Sequence, residues 1–162
     1  MSNKNKEQAA KTRQSILDAA IPVFLEHGFA RARLQDIADR ADVTRGACYW
    51  HFKNKADILL ELMENALDPV FETTIHVTQM DLPPREKLKK IFVSFMERMV
   101  KDEQFRSILR ITTNKIEYTN DIATYLSTIA DKDAKNILLL TSIYEEGLAL
   151  KHFDICNPKV NA

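Results

Sequence analysis

The densest run of chemistry-bearing side chains is Thr44-Arg45-Gly46-Ala47-Cys48-Tyr49-Trp50, followed closely by His51, Lys53 and Lys55. Arg45 carries a planar fork of donors that can meet guanine O6 and N7 together, the commonest base-specific contact. Ala47 is small and apolar enough to touch a thymine methyl. Thr44 and Tyr49 bring hydroxyls for phosphate oxygens, and His51, Lys53 and Lys55 bring further donors. Gly46 and Ala47 let the backbone approach a groove closely. Lys55 opens a following helix, where free backbone N–H groups also favour phosphate. Taken singly, Arg45 is more often a solvated charge, His51 a packed histidine, and close-spaced aromatics such as Tyr49, Trp50 and Phe52 core. The elements around them decide.

Thr44 is a good N-cap, so a short helix is predicted from there to Trp50. Residues 34–40 read as another short helix, with Ile37 and Ala38 inward and Gln35, Asp36, Asp39 and Arg40 polar. Ala41-Asp42-Val43 is the tight stretch between them. Upstream, Ile16, Ala20, Val23 and Phe24 recur at helical spacing, which predicts a longer helix over 8–27 that stops at Gly28 and kinks at Pro22. A longer helix followed by two short ones around a tight turn predicts a helix-turn-helix over about residues 33–52. Further helices are predicted over 55–78, 85–102, 105–116 and 120–150, with Pro83-Pro84 forcing a loop. No strand-like alternation and no internal repeat occur. The fold class is all-α, with six or seven helices.

Composition agrees. Only three glycines and five prolines occur among 162 residues, against a turn-rich β fold. The net charge is zero, yet residues 1–55 hold ten Lys or Arg and six Asp or Glu (+4), and the remainder holds thirteen and seventeen (−4). A basic head on an acidic body suits a polyanion binder. His27, His51, His76 and His152 have no metal-binding spacing, and no glycine-rich phosphate loop or nucleophile elbow is present. No enzyme activity, metal or cofactor is expected. Cys48 and Cys156 are too far apart to suggest a disulfide framework, and no signal peptide or membrane span is visible. The expectation is a cytoplasmic protein without a membrane partner.

The stretch Val43-Thr44-Arg45-Gly46-Ala47-Cys48-Tyr49-Trp50-His51-Phe52-Lys53-Asn54-Lys55 resembles the signature of the TetR family of transcriptional regulators, in its branch of multidrug-efflux repressors. Thr12 to Ala20, then Phe24 and Gly28-Phe29, resembles the family's first helix, and Asp36-Ile37-Ala38 its second. The resemblance implies an N-terminal three-helix DNA-binding domain over 10–70 and a helical effector-binding and dimerisation domain over 71–162. It also implies residue roles. Gln35, Thr44, Arg45, Ala47 and Tyr49 would face the major groove. Trp50, His51 and Lys55 would touch the phosphate backbone, and Cys48 and Phe52 would be buried. Where the family usually has Ser or Thr before the second helix, this chain has Arg33, a poor cap but a plausible phosphate partner.

The function so implied is a ligand-responsive repressor that binds a pseudo-palindromic operator as a homodimer and controls an efflux or detoxification operon. Its effector would be a small apolar or cationic aromatic compound. Met63, Phe71, Phe92, Phe95, Met96 and Met99 are the expected pocket residues, since methionines and aromatics suit a promiscuous apolar site. Ordinary helix-bundle core is the competing use of that stripe. The end of the chain, Glu146 to Pro158, resembles the close of the family's long seventh helix. Relatives continue for about two more helices that form most of the dimer interface, so the expectation is a chain truncated there. Ile137, Leu138, Leu140, Ile143 and Tyr144 would then either pair through a smaller two-fold interface within 120–150 or promote aggregation. A ligand-free architectural DNA binder, or a small-molecule-binding remnant without an operator, stay open as alternatives.

Overall fold

The computed structural model describes residues 3–114 and 120–153, with side-chain environments left undescribed at 3, 114 and 120–129. Seven α-helices and no strand occur among the described residues: α1 (Asn3–Arg31), α2 (Leu34–Arg40), α3 (Arg45–His51), α4 (Lys55–Thr78), α5 (Pro84–Lys101), α6 (Glu103–Asn114) and α7 (Asn120–Ala149). Ile155, Cys156, Asn157 and Pro158 lie outside the described residues, as does the expected end of the sixth helix at Ile116.

α1 begins five residues before the apolar stripe demands it. Lys4, Lys6, Glu7, Gln8, Ala9 and Ala10 are sound helix formers, and Glu7 pairs with Lys11 one turn on at 3.0 Å. The helix runs through Pro22 and breaks at Gly28, whose φ of 74° and ψ of 160° belong to a region open essentially to glycine. That break turns Phe29 back into the core, where its ring lies 5.6 Å from Phe24. α6 starts two residues earlier than the periodicity predicts, because Asp102 caps it, its carboxylate accepting from the Phe105 N–H at 2.9 Å.

The chain forms two compact units, residues 1–67 with 102–128 and residues 68–101 with 129–162. In the first unit, α1 packs against α2, α3 and α6. Ile16, Ala20, Phe24, Ile37, Ala38, Cys48, Ile58 and Ile111 are fully buried there. Thus α6, although distant in sequence, supports the helix that carries the short pair. In the second unit, Lys87 of α5 is nearly buried and reaches Glu146 of α7 at 3.6 Å, and Lys132 of α7 donates to Asp68 of α4 at 2.8 Å. At the end of α7, Phe153 stacks on Tyr144 with ring centroids 5.6 Å apart.

Candidate nucleic-acid interface

The turn between α2 and α3 is fixed by the backbone. Ala41 N–H donates to the Ile37 carbonyl at 2.9 Å and Val43 N–H to the Ala38 carbonyl at 3.0 Å. Asp42 between them has φ of 55°, the left-handed conformation that aspartate tolerates better than most residues. The start of α2 has no side-chain cap from Arg33. Instead Asp36 reaches back and accepts the Arg33 N–H at 2.9 Å, leaving the exposed guanidinium to solvent. Thr44 caps α3, its Oγ1 accepting from the Ala47 N–H at 3.1 Å.

α3 has a clear inner and outer side. Cys48 is fully buried and Phe52 nearly so, whereas Arg45 and Gly46 are exposed, Tyr49 is 47% exposed and Trp50 71%. Burial pushes the Cys48 thiol above its ordinary pKa, away from the reactive thiolate. Arg45 stands one turn from Tyr49, its Nη2 donating to the phenol oxygen at 3.2 Å and its guanidinium lying 5.3 Å from the ring centre. Both therefore project outward together, the guanidinium partly oriented before any ligand arrives. On the neighbouring α2 surface Gln35 is also exposed, donating to Asp39 at 2.6 Å. A methyl group placed on Gly46 would meet only Thr44 Oγ1, at 3.8 Å. The fold does not require glycine there.

Lys55 stands differently from the expectation. Its Nζ donates to the carbonyls of Phe29, Ala30 and Ala32 at 2.6, 2.8 and 3.1 Å, and lies over the Phe29 ring. An ammonium has three donors, and these three acceptors match them. Lys55 therefore closes the end of α1, and a phosphate would have to compete with three carbonyls for it. The first turn of α4 is occupied too. Asn54 Oδ1 accepts from the Ala56 and Asp57 N–H groups, and Asp57 accepts from the Lys53 N–H. The Lys53 side chain is exposed.

Arg13 is a positioning residue that the sequence did not reveal. It donates to Glu61 of α4 through both Nε and Nη2, donates to the His51 carbonyl at 3.0 Å, and stacks 4.3 Å from the Phe52 ring centre. One side chain of α1 thus ties the end of α3 to α4. His51 sits half-buried beside it with Trp50 packed edge-on, and its pKa is lowered, first by desolvation and then by the Arg13 charge. Near neutral pH it offers one neutral N–H rather than a cation.

The expected effector residues do not form one lining. Met63 is 6% exposed in the core of the first unit. In the second unit, Phe95 lines a cleft of about 100 Å³ between α4 and α5, and Phe71 lines another of about 230 Å³ between α4 and α7. Phe92 is 62% exposed and Met96 38%, and neither they nor half-buried Met99 line either cleft. The stripe on α5 spans more than one face, so spacing alone did not separate Phe95 from Phe92.

Two short helices about a fixed turn, the second presenting an arginine, a tyrosine and a bare glycine outward, define a helix-turn-helix DNA-binding module. Residues 16–62 match the family model described as bacterial regulatory proteins, tetR family. The chain is 36% identical over 125 residues to the transcriptional regulator AcrR of Shigella flexneri, covering 76% of this chain and 58% of that protein. It is 30% identical to NalD of Pseudomonas aeruginosa, whose crystal structure it matches with a TM-score of 0.75 over 85% of this chain and 68% of that one. A complex of SmeT, the repressor of a Stenotrophomonas maltophilia multidrug efflux pump, with triclosan matches at 27% identity and a TM-score of 0.73, covering 86% and 67%. The chain belongs to the TetR family of regulators and stands close to its AcrR branch. It spans about three fifths of the length of the curated relatives it matches.

Proposed function

We propose that this protein is a ligand-responsive transcriptional repressor that docks α3 in the major groove of a pseudo-palindromic operator and controls an efflux or detoxification operon. The outward side of α3 carries this reading. Arg45 donates to a guanine edge, Ala47 and Gly46 admit close approach, and Tyr49, Thr44 and Gln35 flank the bases. Arg33, Trp50, His51 and Lys53 meet phosphates, fixing register without reading sequence. The domain limits of 10–70 and 71–162 belong to the same proposal, as does a cytoplasmic location, where the DNA is.

Two recognition helices must lie about one helical turn apart, or a multiple of it, to read the two halves of a palindrome, so the active species is a homodimer. The kinship with AcrR, NalD and SmeT supports control of an efflux operon, and the triclosan complex of SmeT supports a small apolar or cationic aromatic effector. Such a compound releases DNA only by binding more tightly to the conformation that cannot dock both heads. A thermal-shift screen of the full chain against dyes and antimicrobials, followed by operator titrations with every hit, tests the ligand switch. At least one hit should weaken operator binding. If none changes it, a ligand-free architectural role replaces this reading.

A further inference from the structure

Arg45 is held by a neutral partner. Its Nη2 donates to the Tyr49 phenol oxygen at 3.2 Å, and its guanidinium carbon lies 5.3 Å from the ring centre, within the range of a cation–π contact. The two side chains stand one turn apart on the exposed side of α3, where residues four apart are neighbours. Two other arginines of the same unit are held by acids, Arg13 by Glu61 and Arg40 by Glu26 at 2.8 Å. Among the described residues no carboxylate pairs with Arg45, and Tyr49 is the group that acts on it. For a polyanion the difference is decisive. A carboxylate would fix the guanidinium fork but cancel its charge and repel phosphate. A phenol fixes the fork and leaves the positive charge whole. One of the five guanidinium N–H groups goes to Tyr49, and four remain where a guanine edge takes two.

We propose that Tyr49 is the positioning residue for Arg45: its phenol oxygen holds the guanidinium in the orientation that meets a guanine edge, and so sets how sharply guanine is distinguished at that base pair. The proposal rests on the reading of α3 as the recognition helix and deepens it, because Tyr49 then acts through Arg45 rather than by a contact of its own. The physical reason is order. An arginine side chain has many rotamers, and fixing such a side chain on binding costs an amount equal to about threefold to tenfold in affinity. Tyr49 fixes Arg45 before DNA arrives. A loose guanidinium could also swing to a phosphate or to another base acceptor, which would bind DNA without reading it. The loss of the phenol oxygen therefore falls on discrimination.

Tyr49→Phe keeps the ring and removes the acceptor. Fluorescence anisotropy of the parent chain, Tyr49→Phe, Arg45→Ala and the double variant tests the role on two duplexes. One is the selected operator, and the other has its Arg45-dependent guanine pair replaced by an A·T pair. The preference for the guanine duplex should fall about threefold to tenfold in Tyr49→Phe. In the Arg45→Ala background the same substitution should change that preference by less than about twofold, since the two residues act as one. An equal loss on both duplexes, a loss that persists beside Arg45→Ala, or an unchanged preference would overturn the role. Nitrogen-15 relaxation of the arginine Nε–H groups reads the contact without DNA. In the parent chain the Arg45 Nε–H should be more ordered than that of Arg33, whose guanidinium is left to solvent, and should loosen in Tyr49→Phe. An Arg45 as mobile as Arg33 would overturn the positioning and leave the operator reading standing. A parent chain that prefers no sequence would overturn the reading of α3, and the discrimination with it, however well ordered Arg45 is.

Discussion

Gly46→Ala separates what the fold needs from what DNA needs. Gly46 is the second residue of α3, is exposed, and has no positive φ. The added methyl would touch only Thr44 Oγ1 at 3.8 Å, an ordinary contact. Replacing glycine by alanine within a helix stabilises by about 0.5–1 kcal/mol, since the unfolded chain has less freedom to lose. For a chain of this length that raises the melting temperature by about 1–4 °C. The same methyl stands where the backbone of α3 is to meet the groove. There it should cost at least tenfold in operator affinity, about 1.4 kcal/mol. Differential scanning fluorimetry and fluorescence anisotropy on one selected duplex measure both. A variant that is more stable and binds DNA as before would refute the placing of Gly46 against the groove. A less stable variant would refute the local geometry itself.

Lys53→Ala should leave the melting temperature unchanged and reduce the slope of log K against log salt by about one, whereas Lys55→Ala should melt earlier by several degrees because three carbonyls at the end of α1 lose their donor. Arg13→Ala, which frees Glu61, the His51 carbonyl and the Phe52 ring, should destabilise by about 1–2 kcal/mol after allowing for its half-exposed position; a change within 0.3 kcal/mol in urea denaturation would contradict its positioning role. His51 is held below its ordinary pKa of about 6.5, so the folded state disfavours its protonation. Its contribution to stability is full above that value and is lost as pH falls through the lower folded pKa. Thermal melts from pH 8 to 5 should therefore fall more steeply at the acid end for the parent than for His51→Gln.

The helix-turn-helix was legible because its signals are local. Thr44 as a cap, Gly28 as a stop, and the inward pairs Ile37-Ala38 and Cys48-Phe52 each act within a turn or two of themselves, and the two short helices fell within one residue of their predicted bounds. Asp102 as a cap is equally local and could have been found by the same rule. What escaped was long-range. Arg13 meets Glu61 across 48 residues of sequence, and Lys55 meets carbonyls 23 to 26 residues earlier. Periodicity says which face of a helix is apolar, but not which distant group a charged side chain will find. The effector residues were blurred for a related reason. α5 carries apolar residues on several faces, so Phe95 and Phe92 read alike although Phe95 lines the smaller cleft and Phe92 is 62% exposed.

The central claim is that α3 reads DNA sequence through Arg45. Selection of bound duplexes from a random library, run in parallel with the parent chain and with Arg45→Ala, tests it most directly. The parent should enrich an inverted repeat with a guanine at one position in each half. The variant should lose preference at that symmetric pair alone, with affinity for the selected site lower by about 1–3 kcal/mol. No enriched sequence from the parent, or the same motif at the same affinity from the variant, would contradict the account.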